Sequence, residues 1–322
     1  MSRLTLGTMI FGDRTDEAEA RRIFAEAAEA GLNFVDTADS YAGGRSEEIT
    51  GRLIAGDRNR FVLATKIANP QGPGPNQRGL SRKWILEEVP NSLRRLGTDF
   101  VDILYLHTDD LGTPLEETVR AMADIQRAGM IRYFGLSNFA SWRLARICAI
   151  CDAEGIDRPI VSQPLYHALN RTAEIEQIPA CAALGLGVVP YSPTARGVLS
   201  GKYVVGAPPP EGSRAASGNP RMLQSEYKEP NVAAAEKIAA HARELGVEPT
   251  AFALAWVLAN PHVTSAIVGP RTLEQWRSYL GAFAVTLSTD SEAFVDGLVA
   301  PGTTAVPHYI DPSYPVQGRK GG

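Results

Sequence analysis

The chain has 322 residues, of which 44% are hydrophobic and 21% charged. This composition closes around a large core and excludes a disordered chain, a collagen and a coiled coil. Lys plus Arg number 32 against 36 Asp plus Glu, a net charge of −4 with no basic tract, so no nucleic-acid partner is expected.

Short apolar runs alternate with longer amphipathic segments from end to end. LTLGTM (Leu4 to Met9) precedes the helix EAEARRIFAEAAEAG, which Gly31 is placed to stop. NFVDTA (Asn33 to Ala38) leads to a helix from near Arg45 to near Gly56, and FVLATK (Phe61 to Lys66) is the third strand. After a Gly/Pro-rich loop, Ser81 reads as the N-cap of the helix RKWILEEVPNSLRRLG, with a kink expected at Pro90. VDILYLH (Val101 to His107), RYFGLSN (Arg132 to Asn138), PIVSQ (Pro159 to Gln163) and GVVPYS (Gly187 to Ser192) continue the strands, the first three followed by helices near 114–128, 141–154 and 173–184. A long loop spans about 193–230. The helical stretches VAAAEKIAAHARELG and TAFALAWVLAN follow, then the strand TSAIVG (Thr264 to Gly269) and the helix LEQWRSYLGAF. An irregular tail begins near residue 300.

Eight strands in alternation with helices, mostly apolar on both faces, imply a single-domain (β/α)8 TIM barrel over residues 1–322. An open Rossmann sheet is the runner-up, but its Gly-x-Gly-x-x-Gly turn after an early strand is absent. No run of about 20 apolar residues exists, so no membrane span is expected, and the N-terminus lacks signal-peptide architecture. Three cysteines argue against a disulfide scaffold and for a reducing, cytoplasmic setting. Cys148 and Cys151 form a C-x-x-C, but within the helical pattern RLARICAICDAEG they read as ordinary helix thiols.

A barrel builds its site at the C-terminal ends of its strands. The polar residues there are Asp36, Lys66, His107, Ser137 with Asn138, Gln163, and Tyr191 with Ser192, and Tyr41 follows Asp36 in the second βα loop. A buried Lys66 needs a counter-charge, which Asp36 can supply. Tyr41 beside that Lys is expected to have a lowered pKa and to serve as a proton donor to a developing alkoxide. His107 could orient a carbonyl oxygen. Alone, each residue also has a structural reading: a salt bridge, a packed tyrosine, a hydrogen-bonded core histidine. Their spacing along successive strands favours polar reduction of a carbonyl. No metal site is expected, since the five histidines form neither H-E-x-x-H nor a close pair.

Seven stretches in order, NFVDTADSYAGGRSEEITGRLI, FVLATKI, VDILYLHTDD, IRYFGLSNF, SQPLYHALNR, VVPYSPTARGVLSGKY and SAIVGPRTLEQ, resemble the aldo-keto reductase superfamily over nearly the whole chain. The resemblance implies a catalytic tetrad of Asp36, Tyr41, Lys66 and His107, with Tyr41 the general acid, its pKa lowered by Lys66. It implies an NADPH-dependent reductase of aldehydes or ketones, with NADH as the alternative cofactor. A dehydrogenase oxidising a sugar or other alcohol is the second reading, and a cofactor-sensing regulatory subunit the third.

For the cofactor, the resemblance assigns Ser137, Asn138 and Gln163 to the nicotinamide carboxamide and Tyr191 to stacking. Ser192, Arg196 and Lys202 fall in the pyrophosphate loop, and Arg271 with Gln275 at the adenosine 2′-phosphate. Ser278 and Tyr279 depart from the family's usual acidic residue and amide there, and His167 stands where Asn is common. The N-terminal hairpin frequent in the family is expected to be shortened or missing. Substrate-lining candidates are Phe11, Ile67, Asn69, Asp109 and the tail around His308 to Tyr314. Oligomeric state is left open.

Overall fold

The three-dimensional structure is a computed structural model, and residues 1–315 are described. The chain forms two compact units: one of Met1–Pro164, Gln177–Tyr191 and His262–Trp276, the other of Leu165–Glu176, Ser192–Pro261 and the residues from Arg277 onward.

The first unit holds all eight strands: β1 (Leu4–Gly7), β2 (Phe34–Asp36), β3 (Val62–Ile67), β4 (Val101–Leu106), β5 (Ile131–Ser137), β6 (Val161–Gln163), β7 (Gly187–Val188) and β8 (Ala266–Val268). They form one parallel sheet in the order β7-β6-β5-β4-β3-β2-β1-β8. The two ends of that sheet meet. Thr264 N–H donates to Val188 O at 2.8 Å and Ile267 N–H to Pro190 O at 2.9 Å, with parallel bridges Val188–Val263 and Tyr191–Ile267. The sheet therefore curls into the expected (β/α)8 barrel.

The helices fall where the alternation places them: α1 (Glu17–Glu29), α2 (Arg45–Ile54), α3 (Arg82–Leu96), α4 (Leu115–Arg127), α5 (Ser141–Glu154) and α6 (Gln177–Leu184). Asp16 caps α1 by accepting from Glu19 N–H at 2.8 Å, and Ser81 caps α3 by accepting from Trp84 N–H at 3.3 Å, which satisfies backbone donors that a helix start leaves open. Pro90 sits inside α3, which runs on to Leu96. In α5, Cys148 and Cys151 are buried free thiols. Burial pushes Cys148 up and Cys151 to about 12, so neither is a ready thiolate.

The second unit contains α7 (Pro220–Gln224), α8 (Glu229–Glu244) and α9 (Pro249–Ala259). Helix α10 (Leu273–Leu280) follows β8, and α11 (Thr289–Leu298) lies in the second unit. Helix α11 does not show in the apolar periodicity of the sequence. Its signal was the N-cap Ser288, which accepts from Ser291 N–H at 3.1 Å, but the segment is short and carries Gly297. The loop expected at about 193–230 contains a 3-10 turn, Ala195–Ser200, besides α7. The tail has no helix or strand from 300 to 315, and the part expected beyond that, 316–322, lies outside the described residues. Among the described residues no helix is long and apolar enough to cross a membrane.

The barrel core explains how the site is placed. Phe34, Ala64, Ile103, Tyr105, Val161, Val189 and Ile267 form one buried cluster, with Val62 and Tyr191 packed against it. Side chains on a strand alternate between faces with a period of two. Two residues beyond an inward apolar residue, the chain therefore presents Asp36, Lys66, His107, Gln163 and Tyr191 on that same inner side. Gly135 makes room for this core. A Cβ there would stand 2.6 Å from Val161 Cγ1 and 2.7 Å from Tyr105 Cε1, so glycine lets the Tyr105 ring fill the interior.

Candidate active site

Lys66 lies at the centre and is fully buried. Its Nζ donates to Asp36 Oδ1 in a very short ion pair, to Thr37 O at 2.7 Å and to Tyr41 Oη at 3.3 Å. The three donors of an ammonium are thereby used. The other oxygen of Asp36, Oδ2, accepts from Gln163 Nε2 at 3.0 Å. Tyr41 opens a tight turn, Tyr41–Gly44, in which Ala42, Gly43 and Gly44 all have positive φ. Its ring meets the His107 ring edge-on, with centroids 5.7 Å apart at 83°.

A second chain of bonds crosses the neighbouring strand ends. Ser137 Oγ donates to Gln163 O at 2.9 Å, Asn138 Nδ2 donates to His107 O at 2.9 Å, and Tyr191 Oη donates to Asn138 Oδ1 at 2.9 Å. Asp36, Tyr41, Lys66, His107, Ser137, Asn138, Gln163 and Tyr191 are thus brought together on the first unit.

The electrostatics follow from burial. Desolvation lifts the Asp36 carboxyl above its ordinary range, against the pull of the Lys66 ammonium and the bond from Gln163. Burial alone would lower Lys66, but Asp36 and Tyr41 outweigh it and hold the ammonium above its ordinary value. Tyr41 corrects the expectation of a lowered pKa. Desolvation of the phenolate is the largest influence and raises the hydroxyl, Lys66 opposes it, and the Asp36 charge adds to the rise. His107 is held well below the usual histidine range, first by burial and then by the Lys66 charge, so its ring is neutral at pH 7.

As pH falls through about 6.5, an unfolded chain takes up a proton on this histidine that the folded chain refuses, so folding loses stability on the acid side at up to about 1.4 kcal/mol per pH unit. Urea midpoints measured from pH 7.5 down to 5.5 are expected to fall less steeply in His107→Gln than in the wild type. Equal slopes would show that His107 ionises normally.

Other sequence candidates land differently. Phe11 is fully buried and bridged to Thr15, so it packs and presents no free face. Asn69 sits beside His107, with its Nδ2 3.1 Å from the ring Nδ1. Asp109 is engaged by Arg143, Nε to Oδ2 at 2.5 Å. Arg271 is exposed, its N–H donates to Gln275 Oε1 at 2.8 Å, and its carbonyl accepts from Thr15 Oγ1 at 3.0 Å.

Three candidates lie in the second unit. Ser192 has a left-handed backbone, φ 58, and Lys202 Nζ lies 5.3 Å from the Tyr203 ring centroid. Arg196 Nε donates to the buried Glu226 at 2.8 Å. His167, also in that unit, is buried, with Nδ1 accepting from Leu169 N–H at 3.2 Å. Within the tail, Tyr309 Oη reaches Gln224 O at 3.4 Å and Asp311 is ion-paired to Arg221.

Sequence reasoning missed a buried acidic group beside this site. Asp39 is fully buried, and burial, followed by the charges of Glu47 and Glu88, pushes its carboxyl well above the ordinary range. Glu47 and Glu88 share Arg95, at 2.6 and 2.5 Å. Among the described residues no group of three or more His, Cys, Asp or Glu side chains is arranged to hold a metal ion.

A parallel barrel thus carries a buried Lys–Asp pair with a tyrosine and a histidine adjoining it. Residues 3–300 match the profile described as Aldo/keto reductase family, and the chain belongs to it. It is similar to the "Uncharacterized oxidoreductase YrpG" of Bacillus subtilis (strain 168), 38% identical over 301 residues covering 90% of each chain. It is also similar to proteins named "Probable voltage-gated potassium channel subunit beta". The one from Arabidopsis thaliana is 38% identical and the one from Oryza sativa subsp. japonica 37%, each over 274 residues, 84% of this chain and 83% of the relative. The protein is accordingly an enzyme of oxidoreductase type.

Proposed function

We propose that the protein reduces an aldehyde or ketone to an alcohol with NADPH, using Tyr41 as the proton donor. One observation carries this reading: the Tyr41 hydroxyl, still protonated at neutral pH, lies 3.3 Å from an ammonium that Asp36 holds in place. As an alkoxide develops on the substrate, Tyr41 gives up its proton, and the phenolate left behind is stabilised by Lys66. Neutral His107, beside Tyr41, orients the carbonyl oxygen through a hydrogen bond.

The donor set beside the tetrad fits a nicotinamide. Ser137, Asn138 and Gln163 offer hydroxyl and amide groups matched to a carboxamide, and Tyr191, tethered through its hydroxyl to Asn138, offers an aromatic ring. When bound, the cofactor supplies the hydride. Arg271, an exposed residue of the same unit, is assigned to the 2′-phosphate, which a guanidinium can clamp with several hydrogen bonds.

The test is tryptophan fluorescence titration with NADPH and NADH in parallel, followed by loss of reduced-nicotinamide absorbance with a panel of aldehydes and ketones. NADPH is expected to bind at least about tenfold tighter than NADH, the worth of one charge-assisted contact, and to be oxidised in a carbonyl-dependent way. Equal affinities would remove the 2′-phosphate role of Arg271. Rates with sugars and alcohols in the reverse direction distinguish a dehydrogenase.

The relatives named as channel subunits support a second reading, a cofactor-binding regulatory subunit. Stoichiometric capture of a channel, with negligible turnover on every carbonyl, would favour it over the reductase.

A further inference from the structure

Asn69 lies two residues beyond β3, half-buried, and its side chain turns toward the end of β4. Its Nδ2 is 3.1 Å from Nδ1 of His107 and 3.4 Å from Ser40 Oγ. An amide nitrogen can only donate a hydrogen bond. Nδ1 of His107 must then accept, and a neutral imidazole that accepts at Nδ1 carries its proton on Nε2.

We infer that Asn69 is a positioning residue that fixes His107 in its Nε2–H tautomer, so that the ring meets a substrate carbonyl as a hydrogen-bond donor. The consequence for substrate rests on the reductase reading, whereas the tautomer does not.

Four further observations support the assignment. The ring is neutral, so its single proton must sit on one nitrogen or the other, and the partner of Nδ1 decides which. The backbone on either side is held: His107 N–H donates to Ile67 O at 2.8 Å, and its carbonyl accepts from Asn138 Nδ2 at 2.9 Å. Tyr41 packs edge-on against the ring, which limits its rotation. Nε2 itself meets no hydrogen-bond partner among the described residues, so its proton remains available to a ligand.

Asn69 thus does for His107 what Asp36 does for Lys66: it uses up one side of the group and leaves the other directed. A carboxylate in its place would do the opposite, drawing the proton to Nδ1.

The experiment is long-range 1H–15N correlation spectroscopy on full-length protein labelled with 15N-histidine, with the His107 signals assigned by their loss in His107→Asn. The wild type is expected to show an unprotonated, pyridine-type Nδ1 and a protonated, pyrrole-type Nε2 at neutral pH. Asn69→Leu is expected to give a mixture of tautomers. Asn69→Asp, nearly the same in shape, is expected to move the proton to Nδ1. In both variants kcat for carbonyl reduction should fall about tenfold, the loss of one oriented hydrogen bond, with NADPH affinity unchanged.

A protonated Nδ1 in the wild type would overturn the proposal, as would spectra that neither substitution alters. A wild type with the Nε2–H tautomer and no turnover on any carbonyl would keep Asn69 in this role and reject the reductase reading instead.

Discussion

Phenylalanine at position 41 is expected to lower carbonyl reduction by about 10²–10⁴-fold, the usual worth of a positioned general acid, while folding and NADPH affinity stay as in the wild type. The substitution is clean because of what surrounds the hydroxyl. Lys66 loses one bond of 3.3 Å but keeps Asp36 and the Thr37 carbonyl, so no buried charge is stranded. The ring stays in place against His107 and 4.8 Å from the Lys66 ammonium.

The pH profile gives a second readout. Burial raises the Tyr41 hydroxyl, so it keeps its proton through neutral and mildly alkaline solution. Wild-type reduction is therefore expected to hold steady up to the ordinary tyrosine value of about 10 and to fall only beyond it, with alcohol oxidation rising over the same alkaline range. Single-turnover rates across pH 6 to 10.5 measure both limbs. Turnover in Tyr41→Phe above about a tenth of wild type would remove Tyr41 as the proton donor.

Much of the candidate site's placement is legible in the sequence because a parallel barrel strand carries its own ruler. Asp36, Lys66, His107, Gln163 and Tyr191 each stand at or next to the end of an apolar run, in phase with the inward residues Phe34, Ala64, Tyr105, Val161 and Val189. What escaped depends on contacts distant in sequence. Arg196 reads as a phosphate partner from its loop alone, yet Glu226, thirty residues later, takes its Nε. Asn69 reads as substrate lining from its place after Lys66, yet its amide is committed to His107, 38 residues on.

The sign of the Tyr41 shift is not legible in the sequence for a different reason. Sequence showed the nearby cation but not the depth of burial, and the two act in opposite directions, with burial the larger. Helix α11 escaped because a short polar segment ending near a glycine has little periodicity to read.

Methionine at position 66 is expected to cost about 3–5 kcal/mol of folding stability, because breaking a buried ion pair by removing one partner leaves the other charge uncompensated. Here that charge is Asp36, buried at 2% exposure, with the Gln163 amide its one remaining donor among the described residues. Desolvation already lifts this carboxyl, and without Lys66 it must rise further and take up a proton to stay buried. Adding Asp36→Asn to the same chain removes the stranded charge and keeps an acceptor and a donor for Gln163. The double variant is therefore expected to recover most of the lost stability without recovering turnover, since Tyr41 still lacks its cation.

The pH dependence follows from the direction of the Lys66 shift. The folded state holds this proton more tightly than the unfolded state, so the stabilisation is fully present below the unfolded lysine value of about 10.4 and is lost as pH rises through the higher folded value. The difference in denaturation midpoint between wild type and double variant should therefore shrink only as pH rises beyond the unfolded lysine value. A single variant as stable as the wild type would show that Asp36 and Lys66 do not form a charged pair in the folded protein. A double variant as unstable as the single one would show that the loss comes from packing around the Lys66 stem.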